Sequence, residues 1–194
     1  MSFAGAKEFV RKKFEKENRT QDHDFTHILR VLKYAEMIGK KEKADMRIVR
    51  YAALFHDYVR ETSRKSSSEH AEQSAKAVEN ILSRFVNDDN IPRILNAIRA
   101  HSRKSEEMPY RIEDKIVWDA DKLDGFCPMG AARYIIIGAY RGWTIKKSVK
   151  RALKTIEKFN KHGVFYTETG KKLGKEKIKK CIRVCNEILE EAIE

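Results

Sequence analysis

Proline and glycine are scarce in this chain, 3 and 9 among 194 residues. Tight turns between short strands draw on both, so their rarity argues against a sheet-rich sandwich or barrel and for long helices. Cysteine is equally sparse. Cys127, Cys181 and Cys185 make an odd count without framework spacing, which argues against a secreted disulfide scaffold. Cys181 and Cys185 stand one helical turn apart, the placement of small buried hydrophobes on an amphipathic helix. Long apolar runs are missing too. The stretch from Tyr134 to Ile137, continued by Gly138-Ala139-Tyr140, is too short to cross a bilayer as a helix. The first residues, Met1-Ser2-Phe3-Ala4-Gly5 before a Lys/Arg/Glu-rich segment, lack the apolar core of a signal peptide. The expectation is one cytoplasmic domain over residues 1–194, with no membrane partner.

Charge, by contrast, is abundant. Charged residues make up 36% of the chain, for a net +12. Residues 141–180 hold 14 Lys/Arg against 3 Asp/Glu, a local +11 that is nearly the whole excess. Most of these lysines read as solvated helix faces. The functional alternative is attraction of phosphate-rich ligands, either nucleotides or a nucleic-acid backbone.

The apolar positions repeat at helical spacing along most of the chain. Phe9, Val10 and Phe14 mark a first helix from Ala6 to about Glu17. Asp24 caps a second, from Phe25 to about Lys40, which puts His27 in its first turn. Asp45 caps a third, ending in Tyr51-Ala52-Ala53-Leu54-Phe55 and then His56-Asp57. A fourth begins near His70, and a fifth starts at Pro92 and runs to His101. A sixth, from Ile112 to about Leu123, carries Asp119, Asp121 and Asp124 near its end. Ala131 to Tyr140 follows as helix, and Thr144 caps a basic helix to about Phe159. Residues 161–174, with Gly163 and Gly170, read as a loop before a terminal helix from Lys175 to Glu194. The fold class is all-α, a single compact helical bundle.

His56-Asp57 at the end of a buried helix is the densest chemical signal. Neighbours on a helix point about 100° apart, so the two can share one ion only at the helix end, with ligands supplied by other helices. His27, His70, His101, Asp119, Asp121 and Asp124 each fall at a predicted helix start or end. Imidazole and carboxylate donors suit an open Mn²⁺, Mg²⁺, Co²⁺, Ni²⁺ or Fe²⁺ site better than a closed structural zinc site, which favours thiolates. Three aspartates within six residues would repel one another unless a cation sits among them. His162, alone near Gly163, has no such company.

The series His27…His56-Asp57…Asp121 resembles the HD superfamily of metal-dependent phosphohydrolases. The likeness extends to His23-Asp24-Phe25-Thr26-His27, Ala52-Ala53-Leu54-Phe55-His56-Asp57, His101-Ser102, Asp119-Ala120-Asp121-Lys122-Leu123-Asp124, Gly130-Ala131 with Arg133, and Tyr166-Thr167 with Gly170-Lys171. It is similar to a subgroup of small bacterial and archaeal members. The resemblance implies metal ligation by His27, His56, Asp57 and Asp121, with Asp119 as the fallback for the last position. One ion is the leading expectation, and His70 and His101 are candidates for a second.

Its implied activity is hydrolysis of a nucleotide or other small phosphoester by metal-activated water, with Asp57, Arg60, Glu61, His101 and Lys122 in the catalytic set. Arg60 and Glu61 stand one turn after His56-Asp57, as phosphate clamp and water-orienting base. Lys122 and Arg133 are further phosphate contacts. Two alternatives stay open: an HD-type di-iron oxygenase, and a non-enzymatic basic domain that binds nucleic acid.

Overall fold

The computed structural model describes residues 2–19, 23–60, 69–102 and 108–192. Glu61 and the side chain of His162 lie outside that description. Every regular element among the described residues is helical, as the proline and glycine counts predict. The helices are α1 (Phe3–Lys16), α2 (Phe25–Lys41), α3 (Met46–Phe55), α4 (His70–Leu82), α5 (Ile91–Ala100), α6 (Ile112–Gly125), α7 (Pro128–Tyr140), α8 (Ile145–His162) and α9 (Glu168–Glu191), with a 3₁₀ turn (Asp88–Asn90) before α5.

Caps set many of the boundaries. Asp24 accepts from the His27 N–H, Asp45 from those of Arg47 and Ile48, and Thr144 from that of Lys147. Each satisfies donors that the first helical turn leaves without an intrahelical partner, a contribution of about 1 kcal/mol per cap. Gly163, at φ 63°, ends α8 in the left-handed region that favours glycine.

The chain departs from its sequence reading at both ends. Ser2 caps α1, which therefore starts at Phe3 and not near Ala6. The loop predicted over residues 161–174 is shorter, because Thr167 caps α9 by accepting from Gly170 N–H. Gly170 and Gly174 lie inside that helix, where their missing side chains permit close packing. A Cβ on Gly170 would come 2.1 Å from Asp119 Oδ2, and one on Gly174 would come 2.1 Å from the Phe165 ring. They are contact points, although glycine usually weakens a helix interior.

Helix α6 is the shared wall of the interior. Its Val117 joins the cluster built by α1, α3, α4 and α5, Trp118 the one formed with α7, α8 and α9, and Ile116 the one between α2 and α3. Consecutive residues point about 100° apart, so one helix can serve three apolar clusters only if it is surrounded. That position fixes the end of α6 against the start of α2 and the ends of α3 and α5, where ligand-type side chains lie.

Candidate metal centre

The first turn of α2 supplies His27, which is 1% exposed. His56 is the residue after α3 and Asp57 follows it, at 0% and 1% exposure. Asp121, on the last turns of α6, completes the group. His27 Nε2 and His56 Nε2 stand 3.2 Å apart. Asp57 Oδ2 lies 3.7 and 3.8 Å from these two nitrogens, and Asp121 Oδ1 3.6 and 4.0 Å.

A second cluster faces the other oxygen of Asp57. His70 opens α4 and His101 follows α5. Their Nε2 atoms are 3.2 Å apart and lie 3.7 and 3.5 Å from Asp57 Oδ1. Asp57 therefore stands between two imidazole pairs, one on each carboxylate oxygen. Asp57 is thus shared by two groups of ligand-type side chains, the second built from the histidines read from sequence as candidates for a second ion.

Tautomers decide whether these donors fit a metal. His56 Nδ1 lies 2.9 Å from the Ala53 carbonyl and His101 Nδ1 2.5 Å from the Ile98 carbonyl. Carbonyls only accept, so both rings carry their proton on Nδ1 and present a lone pair at Nε2. His27 Nδ1 donates likewise to Asp124 Oδ2 at 2.8 Å. In the His27–His56 contact two lone pairs then face each other at 3.2 Å in a buried site. That is repulsive unless a cation lies between them, and metal–nitrogen bonds of about 2.0–2.1 Å put neighbouring ligand atoms roughly this far apart. The donor set fits a divalent cation.

Protonation states agree. Burial pushes the His56 imidazole down to about 3, so it is neutral near pH 7. Burial opposes ionisation of Asp57, but the Arg60 guanidinium beside it holds its carboxyl well below the usual range. The same contest at Asp121 is won by the Lys122 ammonium.

The three aspartates of α6 do not crowd one another as expected. Asp119 turns away and accepts from Tyr166 N–H, Thr167 N–H and the Thr167 hydroxyl at 2.7–2.9 Å, holding the start of α9. Burial nevertheless raises its carboxyl to about 6. Asp119 is thus no substitute for Asp121 as a ligand. Asp124 is fully buried behind His27, where Arg30 Nε (2.6 Å) and Arg133 Nη1 (2.6 Å) donate to it. Arg133 Nη1 also lies 3.2 Å from His27 Nδ1, two donors converging on the same carboxylate oxygen. Asp124 fixes the ring and tautomer of His27, as carboxylates behind metal-binding histidines do. The sequence marked Asp124 as acidic and Arg133 as a phosphate contact, but not the pairing, whose partners are 97 and 9 residues apart in the chain.

A pocket of about 260 Å³ opens onto Asp57 and Asp121. Arg60, Lys122 and Arg133 give it positive walls, and Phe126, Tyr134 and Phe159 line its apolar side. Lys122 is anchored by Asp121 at 2.7 Å and by the His101 carbonyl at 3.1 Å. Arg60 Nη1 lies 3.3 Å from Asp57 Oδ1. His23, absent from the candidates read from sequence as a site residue, also lines the pocket, with Nε2 3.2 Å from Arg133 Nη2. A larger cleft of about 1010 Å³ lies elsewhere, between the start of α8 and the end of α9, and holds neither histidine nor cysteine.

This is a helical fold that gathers His27, His56, Asp57 and Asp121 from three chain segments into one cluster, and the HD domain matches residues 24–125, more than half of the chain. The protein belongs to the HD-domain family. Bacillus subtilis YpgQ, an uncharacterized protein, is 35% identical over 133 residues, 64% of this chain and 62% of that one; the chain thus spans less than two thirds of this curated relative. The crystal structure of YpgQ in complex with ADP superposes with a TM-score of 0.70 at 24% identity, over 97% of each chain. Lin1889 from Listeria innocua also reaches 0.70, at 25% identity, covering 99% of this chain and 97% of the other. An HD superfamily hydrolase, so described by prediction, from an uncultured Thermotogales bacterium reaches 0.66 at 25% identity, over 97% and 91%. No helix among the described residues is long and apolar enough to cross a membrane.

Proposed function

We propose that this protein is a metal-dependent phosphohydrolase acting on a nucleotide or another small phosphoester. The observation that carries the reading is Asp57 between two imidazole pairs, beside a pocket whose polar wall is cationic. When bound, divalent cations at such a site lower the pKa of water and neutralise charge developing on a phosphoryl group. His27, His56, Asp57 and Asp121 would hold one, and His70, His101 and Asp57 the other.

The chain's own residues supply the rest. His56 stays neutral and Asp57 and Asp121 stay ionised, the forms in which they are ligands. Lys122, Arg60 and Arg133 point N–H donors at the pocket, where phosphate oxygens make charge-assisted bonds. Their anchoring by Asp121, Asp57 and Asp124 leaves little reorganisation for the transition state to wait on. Phe126, Tyr134 and Phe159 offer apolar surface to a base or sugar. ADP in the YpgQ crystal supports the nucleotide class, and so does the pocket's pairing of cations with aromatics.

The test is phosphate and pyrophosphate release from nucleoside mono-, di- and triphosphates with added Mn²⁺, Mg²⁺, Co²⁺ or Ni²⁺. Release should require the metal and vanish in His56→Ala. Bound iron with oxygen consumption and no release would replace this reading with the di-iron oxygenase, which the same histidine pairs could serve.

A further inference from the structure

The basic segment of the sequence takes a defined shape in the fold. A second concavity, of about 480 Å³, is lined by Arg141, Trp143, Lys147, Lys150, Arg151 and Lys154. It has five cations, one aromatic and no carboxylate. All five cations are exposed, and among the described residues none forms a salt bridge. Two of them instead flank the half-buried indole: Arg141 lies 5.2 Å and Lys147 5.1 Å from the Trp143 ring centre. Five like charges in one concavity repel one another, although Lys147 and Lys150 also line the larger cleft with Glu187 and Glu191, and a polyanion relieves that repulsion.

This concavity and the pocket at the metal centre are both lined by residues of α8, with no lining residue in common. On α7, Tyr134 and Ile137 line the pocket and Arg141 follows one turn on. On α8, which packs against α7, Phe159 and Thr155 line the pocket and Arg151 and Lys147 precede them by successive turns. Lys147, Arg151, Lys154 and Lys158 fall on one face, about a quarter turn from Thr155 and Phe159. From Lys147 to Phe159 the distance along α8 is roughly 18 Å at 1.5 Å per residue. Positive charge therefore stands along the helix whose later turns line the pocket where phosphate chemistry is proposed.

We propose that the α7–α8 crevice binds single-stranded nucleic acid and leads one end of the strand toward the metal centre. Only the second half of that statement rests on the phosphohydrolase reading. A backbone of phosphates matches the spaced cations, and Trp143 offers a ring beside which a base can stack, the usual pairing in sequence-tolerant single-strand binding. About four nucleotides occupy such a length, at the small end of known site sizes. A plain polyanion would make no use of the indole.

Fluorescence anisotropy with labelled 12-mers of oligo(dT) and oligo(rU) tests this on full-length His56→Ala protein in EDTA, where turnover cannot interfere. Neutralising four or five phosphates predicts a slope of about −3 in log affinity against log salt, from roughly −0.7 per contact. The triple variant Lys147→Ala/Arg151→Ala/Lys154→Ala should bind at least tenfold more weakly in low salt, with a slope shallower by about 2. Lys147→Arg/Lys154→Arg should bind normally, and Trp143→Leu should weaken the oligonucleotide more than dextran sulfate of matched charge. Circular dichroism checks that each variant is folded. Unaltered binding by the folded triple variant would overturn the proposal. So would equal competition by dextran sulfate, or binding to phosphatidylglycerol vesicles without binding to oligonucleotide. Oligonucleotide binding without hydrolysis of any phosphoester by the wild-type protein would leave the crevice standing and remove the phosphohydrolase; mononucleotide hydrolysis without oligonucleotide binding would do the reverse.

Discussion

Replacing Asp124 by Asn tests whether the metal centre is positioned from behind. The substitution keeps the shape of a fully buried side chain but removes its charge. Three donors converge on that carboxylate: His27 Nδ1 at 2.8 Å, Arg30 Nε at 2.6 Å and Arg133 Nη1 at 2.6 Å. An amide offers one acceptor oxygen, so at least one donor then meets an N–H group, and two guanidinium groups lose their counterion. Removing one partner from a buried charge network costs about 3–5 kcal/mol. At 2–4 °C per kcal/mol for a chain of this size, the melting temperature should fall by roughly 10 °C. The functional effect is separate. With its Nδ1 partner weakened, His27 loses its preferred tautomer and orientation, and such losses lower metal affinity about 10–100-fold. Competition titration against a chromophoric chelator reads that affinity at a temperature where the variant is folded. Wild-type affinity in Asp124→Asn would refute the positioning role, whatever happened to stability.

Asp119→Asn should lower stability while leaving metal content unchanged, whereas Asp121→Asn should do the opposite; denaturant titration and metal analysis of the two variants separate the roles. Gly170→Ala drives a Cβ into Asp119 and Thr167 Oγ1, at 2.1 and 2.8 Å, and should cost about 1–3 kcal/mol by overpacking, read from the denaturation midpoint. For pH, a His56 held at about 3 against 6.5 unfolded adds stability that is complete above 6.5 and lost as pH falls toward 3; Asp119, raised from 3.8 to about 6, works in the other direction and adds stability as pH falls through 6. Between pH 7.5 and 5 the metal-free protein should lose about 2 kcal/mol at His56 and regain about 1 at Asp119, a net loss near 1 kcal/mol; the loss should rise toward 2 in Asp119→Asn, measured by denaturant unfolding at both pH values.

The helices were legible because their signals are local. Asp24, Asp45 and Thr144 cap the helices they were expected to cap, and the apolar stripes between them are buried as the 3.6-residue period requires. The start of α9 was not legible, because Gly170 and Gly174 read as breakers until Asp119 and Phe165 are seen against them. Asp119 itself was misleading for the same reason: its partners, Tyr166 and Thr167, lie 47 and 48 residues away. His27, His56, Asp57 and Asp121 could be named from sequence because helix ends converge in a bundle and the HD pattern names those four. The place of Asp57 between two imidazole pairs could not, since it depends on how α4 and α5 set His70 and His101 against the second oxygen.

Metal stoichiometry tests the place of Asp57 between the two imidazole pairs. Purified protein reconstituted with Mn²⁺ or Fe²⁺ and freed of excess ion should carry two ions per chain. His70→Ala/His101→Ala should carry one, His27→Ala/His56→Ala should lose the other, and Asp57→Asn should lower both. A wild-type content of one ion that survives His70→Ala/His101→Ala intact would contradict the two-sided reading of Asp57 and return the site to a single cation held by His27, His56, Asp57 and Asp121.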